Sequence, residues 1–388
     1  MLKRIILALV ALLGLGAAGL FLLAPLQIDK LSNKVLRDVP LAPVSEAAAA
    51  LHDSLLIVDL HADPLLWKRD LSHQHDHGHT DLPRLADGNV SLQVMASVTK
   101  VPWGQNYDSN PSDSDMITPL VIANGQPMDT WSSLLARSLH HADKLYALQA
   151  QSDGKLQLIT STFSLGELIG MRRGGARPVG ALLALEGAQP IEGDVGNLDV
   201  LFAAGYRMVG LAHFFDNEVA GSMHGEEKYG LTALGRELVA RAEELGMVID
   251  IAHASPATVA DVFDMATRPV VVSHGGVQAV CNYNRNLTDE QLHRLAANGG
   301  VIGIGYWDAA VCDSTPAGIV KAMSHVRDLV GIEHIALGSD FDGAVATRFD
   351  TSQLAVITQA LLDAGYSQED IRAVMGGNAI RVLRASLP

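Results

Sequence analysis

His61 and Asp63 stand two residues apart in "VDLHADPLL", where the apolar run "LLIV" at 55–58 gives out. Residues two apart on a strand face the same side, so an imidazole and a carboxylate at that spacing can turn toward one divalent ion. Asp59 shares their parity and reads either as deeper support for the pair or as a carboxylate bonded to local backbone groups. Other apolar runs finish alike: "GALLALEG" with Glu186, "MVGLAHF" with His213, "GMVIDIAHAS" with His253, "PVVVSHGG" with His274 and "HIALGSDFDG" with Asp340. A lone His after a strand is usually a hydrogen-bonded rim residue, but that reading does not cover so many ends in register. Buried, unpaired carboxylates are costly, and bound cations would offset the cost. His61, His253 and His274 with carboxylates, and no thiolate among them, suit zinc or a similar divalent ion. With Asp63 and Glu186 they exceed the ligand set of one catalytic zinc. Two ions sharing a carboxylate would use them all, at the roughly 3.5–4 Å separation of two-metal hydrolytic sites.

Such ends converge only if the strands do. Short β-rich apolar runs occur at 55–60, 90–98, 180–185, 206–212, 246–252, 269–273, 299–306 and 334–338. Helical patterns fall between most of them, at 128–152, 197–204, 231–245, 256–266, 288–298 and 316–330, with more helix over 351–386. This alternation predicts an α/β fold, a (β/α)8 TIM-like barrel with extra C-terminal helices, whose strand ends meet on one face. An open doubly wound sheet is the runner-up, but no G-x-G-x-x-G opens a helix after a strand. The segment 99–127, rich in Asp, Asn, Ser and Pro, reads as a long loop with a functional role or mobility. A rival metal motif, "SHQHDHGHTDLP" at 72–83 with its own His79-x-Asp81, has no strand to position it and reads as a solvated loop.

The 388-residue chain carries a formal net charge of −15, which disfavours nucleic acid or an anionic membrane surface as partner. Its two cysteines, Cys281 and Cys312, exclude a disulfide framework and leave room for one disulfide; the expectation is two small buried hydrophobes. Lys3 and Arg4 precede an uncharged apolar run over 5–28, about long enough to cross a bilayer. It continues past the small residues at 17–19, so an uncleaved signal anchor is favoured over a cleaved signal peptide, with the body exported to the non-cytoplasmic side in either case. The organisation read from this is a signal anchor or signal peptide over 1–28, a helical connector over 29–54 and a catalytic barrel over 55–388.

The motifs "DLHADPL", "DLPRLADGNVSLQ", "ALEGA", "GLAHFFDN", "DIAHAS", "VSHGGVQAVCNYNRNL" and "GSDFDG", in this order over about 50–385, resemble the membrane (renal-type) dipeptidases of peptidase family M19. These are zinc enzymes of the metal-dependent hydrolase barrel superfamily. The resemblance implies one zinc on His61, Asp63 and Glu186 and a second on Glu186, His253 and His274, so that Glu186 bridges. It implies that His213 contacts the substrate carbonyl, that Arg285 binds the C-terminal carboxylate and that Asp340 handles protons. The implied reaction is hydrolysis of dipeptides, including those with a C-terminal D-residue, by a hydroxide held between the metals. Family members are often homodimers. Leu60 and Gly275 depart from the family's usual Gly and Ser without removing a ligand, which bears on substrate preference rather than reaction type.

Arg285 taken alone reads equally as a surface or interface salt bridge, and Tyr306 and Trp307 as pocket wall or as packing under loops. Two other functions compete. A cyclic-amide or lactone hydrolase on the same barrel more often opens with H-x-H and carries a modified Lys after the fourth strand, where this chain has His213. A non-enzymatic exported binding protein would have no need to retain every ligand type.

Overall fold

The computed structural model describes residues 3–7, 9, 14, 16, 19, 21 and 23–388. Eight parallel strands follow the eight apolar runs: β1 (Ile57–Ala62), β2 (Val90–Val98), β3 (Val179–Glu186), β4 (Tyr206–Gly210), β5 (Val248–Asp250), β6 (Val271–Gly275), β7 (Val301–Ile304) and β8 (Ile335–Leu337). Each pairs with the next, and β8 returns to β1 through Leu337 opposite Asp59, which closes the barrel. A short strand, Leu156–Leu158, adds alongside the start of β3.

Two apolar layers explain why the strands are almost continuously hydrophobic. Val58, Leu60, Leu92, Val94, Leu182 and Met208 share an inner cluster with Ile380 and Leu383 of the C-terminal helix Asn378–Ser386. Ile57, Met95, Leu183, Val209, Ile302 and Leu337 pack outward against the surrounding helices. Both faces are buried, as a parallel sheet under helices requires. The outer helices begin where side chains can cap them, at Thr232, Ser255, Thr288 and Thr315, and two end at left-handed glycines, Gly246 and Gly299.

The elements that sequence patterning misses have weak local signals. Helix Thr162–Arg173 carries Gly166 and Gly170, each costing about 1 kcal/mol relative to Ala. Helix Ile117–Ala123, inside the segment read as a loop, has Pro119 near its start and no side-chain cap. Residues 29–54 are not one helical connector. Helix Ala24–Ser32 runs into a two-residue strand, Lys34–Val35, paired with Ala346–Thr347, and helix Glu46–Asp53 follows a non-regular stretch. The expected anchor over 5–28 falls largely outside the described residues; among those described, no helix is long and apolar enough to cross a membrane.

Cys281 and Cys312 are not two independent buried hydrophobes. They form a disulfide that joins the segments following β6 and β7. Their 31-residue separation sets an unfolded-state constraint of about 3–4 kcal/mol. A Cys312→Ser chain is therefore expected to melt ~4–5 °C below the wild type under non-reducing conditions, and an unchanged Tm in calorimetry would contradict this.

Candidate active site

The functional side chains project from the carboxyl ends of the barrel strands, and a break in β1 helps to aim them. Val58 and Leu60 face the inner cluster whereas Ala62 packs outward, so the alternation fails between them. The register shift between Asp59 and Ala62 is the cause, and it turns His61 toward the barrel axis together with Asp63. Asp59 consequently does not share their face. Its carboxylate accepts hydrogen bonds from the Ser339 N–H at 2.9 Å, the Ser339 hydroxyl at 2.5 Å and the His61 N–H at 3.3 Å, locking the ends of β1 and β8 together. Of its two sequence readings, the carboxylate bonded to local groups is the one observed.

Glu186 occupies the centre. Its Oε1 lies 3.4 Å from His61 Nε2, 3.5 Å from His213 Nε2, 3.2 Å from His253 Nε2 and 3.5 Å from His274 Nε2. His61 Nε2 is also 3.3 Å from Asp63 Oδ2 and 3.9 Å from Asp340 Oδ1, and the Nε2 atoms of His253 and His274 are 2.9 Å apart. Donor atoms fall into three overlapping groups, each within 4.8 Å: His61–Glu186–His274, Glu186–His213–His253 and His61–Asp63–Asp340. The five ligand candidates, with His213 and Asp340, are thus brought together, with Glu186 in two groups and His61 in two. His274 falls with His61 and Glu186, and Asp340 with His61 and Asp63, while His253 and His274, which the resemblance puts on one ion, meet through their Nε2 atoms.

Electrostatics prepares three of the four imidazoles to coordinate. Burial pushes His253 and His274 well below the usual imidazole range, and the Arg285 charge adds to it, so both present neutral lone pairs. Burial likewise lowers His213. Burial also favours a neutral His61, but Asp63 and Glu186 outweigh it and draw a proton there. Asp63 is raised to about 6 by burial and by the Glu186 charge. Burial would raise Glu186 too, yet His213 and His61 hold it well below the carboxylate range. Asp340 is pushed well above that range by burial, with Asp63 and Glu186 adding to the effect.

The donor set fits metal. Glu186 Oε2 and Asp63 Oδ1 are buried oxygens without a hydrogen-bond partner, and four imidazole nitrogens converge on one carboxylate oxygen. His253 and Asp340 hold left-handed backbone, at φ 63° and 60°, a conformation non-glycine residues adopt rarely and mostly where function over-determines it. Gly343 completes the cradle: a Cβ there would lie 2.0 Å from Asp340 Oδ1 and 2.9 Å from Asp63 Oδ2.

Arg285 is buried, not a surface ion pair. Its guanidinium lies 4.7 Å over the Trp307 ring and donates to the His274 carbonyl at 3.0 Å, while Nε has no partner. Trp307 lines the cavity above the site, as do Tyr107 and Phe214, which sequence reasoning passed over. Tyr306 instead packs between Phe341 and Phe349, away from it. Ser273 is a further omission: its hydroxyl lies 2.9 Å from His274 Nδ1 and 3.4 Å from His61 Nδ1, fixing both rings, and only its place beside His274 hinted at this.

The His-rich stretch is not a solvated loop throughout. His79, Thr80 and Asp81 are buried. The N–H groups of His79 and Thr80 donate to the Asp342 carboxylate at 2.7 and 3.1 Å, and Asp81 caps helix Leu82–Asp87.

The model of the membrane dipeptidase family, peptidase family M19, matches residues 45–386. The chain belongs to that family. This M19 protein is therefore an enzyme, a metallo-dipeptidase that hydrolyses peptide bonds, and the family implies metal at the cluster just described. A dipeptidase of Aspergillus oryzae, aclJ, is 30% identical over 349 residues, covering 84% of this chain and 77% of its own. Two solved structures share the fold. A metallopeptidase from Rhodobacter sphaeroides, bound to a phosphinate mimic of L-Ala-D-Ala, superposes with TM-score 0.71 at 23% identity over 86% of this chain and 99% of its own. The probable dipeptidase PvdM from Pseudomonas aeruginosa gives 0.73 at 19% identity over 88% and 98%. The cyclic-amide alternative finds no support in this family assignment.

Proposed function

We propose that this M19 enzyme is a zinc dipeptidase with two metals per chain, acting on free dipeptides and tolerating a D-residue at the C-terminal position. The observation that carries the reading is Glu186 Oε1 set among four imidazole nitrogens, a position suited to a shared ligand. His61 and Asp63 would hold one ion with Glu186, and His253 and His274 the other. Bound metal would supply an acidified water and a Lewis acid for the scissile carbonyl.

The chain's own groups do the rest. Arg285 directs its planar fork at the substrate carboxylate and fixes the scissile bond over the cluster. Neutral His213 can donate from Nε2 to the carbonyl oxygen as negative charge grows there. Asp340, raised by burial, can hold a proton in the cavity and deliver it to the amine nitrogen as the C–N bond breaks. Recognition of a terminal carboxylate confines cleavage to the C-terminal peptide bond and excludes internal bonds.

The deciding experiment is a panel of L,L and L,D dipeptides assayed with and without chelator, alongside zinc analysis of the purified protein. Hydrolysis of both series that chelator abolishes and zinc restores is expected. Turnover indifferent to chelator would refute the metal reading, and loss confined to the L,D series would refute the D-tolerance.

We further propose that the catalytic body lies outside the cytoplasm, held by the apolar run that follows Arg4 and ends where helix Ala24–Ser32 begins. Lys3 and Arg4 ahead of that run support the orientation, and the Cys281–Cys312 disulfide supports an oxidising compartment.

A further inference from the structure

A cavity of about 380 Å³ lies over the cluster, and part of its wall comes from outside the family's span. Ala24, Ile28 and Ser32, on one face of helix Ala24–Ser32, line it together with Ala344 and Val345. The family match begins only at residue 45.

This helix is docked by buried polar contacts. Asp29 is buried and pairs with Arg69 Nε at 2.8 Å, and Arg69 reaches on to Asp342 Oδ2 at 2.7 Å. The Asn33 amide donates to Asp29 Oδ1 at 2.8 Å, and its oxygen accepts from the Ala344 N–H at 2.9 Å. The His-rich stretch completes the seat: His77 Nε2 lies 3.4 Å from Asp29, and Asp76 pairs with Lys30 at 2.9 Å. Two sequence features with no part in the chemistry, the polar His run and the N-terminal segment, therefore serve one purpose. They hold this helix against the loop that bears Asp340.

The cavity has a direction. Arg285 stacked on Trp307 marks one end, which on the dipeptidase reading takes the carboxylate. Gly343 touches Asp340 and Asp63 and leads through Ala344 and Val345 to the helix. A dipeptide anchored by its carboxylate thus presents its N-terminal residue to the helix side. The wall it meets there is apolar: Ala24 and Ile28 from the helix, with Leu66, Ile117 and Leu120 beyond.

We propose that helix Ala24–Ser32 is a specificity element of the active site, with Ile28 forming the contact that selects dipeptides carrying a large apolar N-terminal side chain. This rests on the dipeptidase reading above and names the substrate class within it.

The test uses the full chain and two substrates sharing a C-terminal residue, one beginning with leucine and one with glycine. The quantity read is the ratio of their kcat/KM values. Ile28→Asp is expected to lower the leucine-to-glycine ratio by roughly tenfold, mainly through the KM of the leucyl substrate, in line with the value of an apolar contact in a specificity pocket. Ile28→Ala lowers it in the same direction by a smaller factor and decides the matter if the Ile28→Asp chain does not fold. Leu26→Asp alters the same helix outside the cavity wall and is expected to leave the ratio unchanged. An unaltered ratio in the Ile28 variants, or an equal fall in the Leu26 variant, overturns the proposal. A wild-type chain that hydrolyses neither substrate overturns the dipeptidase reading itself.

Discussion

Glu186→Gln is expected to strip the centre of metal and to lower kcat/KM by on the order of 10³-fold or more, about 4 kcal/mol of transition-state stabilisation. The substitution keeps the shape of the side chain and changes two properties. It removes the negative charge that His213 and His61 stabilise, and it places an NH2 donor where an oxygen now faces imidazole nitrogens. Either orientation of the amide leaves one side wrong. The NH2 would face the four imidazoles that converge on Oε1, or it would fill the Oε2 position that now lacks a partner. If Glu186 bridges, both ions lose a ligand at once, so metal content should fall toward zero rather than to half. Metal analysis of the dialysed variant, with circular dichroism as a check on folding, reads this directly. A variant retaining full metal and activity would falsify the bridging role.

The second large effect is expected at Arg285. Arg285→Met should lower kcat/KM for free dipeptides by roughly 30- to several-thousand-fold, the equivalent of the 2–5 kcal/mol lost with one partner of a buried charge pair. The loss should appear mainly in KM, because on the proposed assignment the guanidinium binds a group that does not change during the reaction. The geometry favours this assignment: Arg285 is buried, stacked on Trp307 and held by the His274 carbonyl, with Nε unpartnered. C-terminally amidated dipeptides supply the control. They should be poor substrates of the wild type, and the variant should treat them no worse. Equal wild-type turnover of amidated and free dipeptides would remove the carboxylate role.

Much of this centre is legible in the chain because its ligands sit where local patterns end. Each of Glu186, His213, His253, His274 and Asp340 follows an apolar run that became a barrel strand, and parallel closure brings those ends together. What stays hidden has no local period. The misplacement of Asp59 arises from a register shift against β2, which strand parity in one segment does not reveal. Trp307 and Tyr306 are adjacent and alike in composition, yet opposite orientations put one on Arg285 and the other under Phe349. Asp29, Arg69 and Asp342 are distant in sequence, and only the fold makes them a buried chain of ion pairs. The His-rich stretch misleads for the same reason. Its polar composition suggests solvent, whereas His79 is met by Asp342 from far along the chain, and Asp81 is held by its neighbour Arg84, which itself reaches Asp350.

Arg285 and Trp307 both lie inside the covalent ring closed by Cys281 and Cys312. The same ring carries β7, so one cystine limits how far the guanidinium, the aromatic face beneath it and a barrel strand can separate when the chain loosens. Glu186, His61 and Asp63 lie outside that ring, and their convergence depends on strand pairing alone.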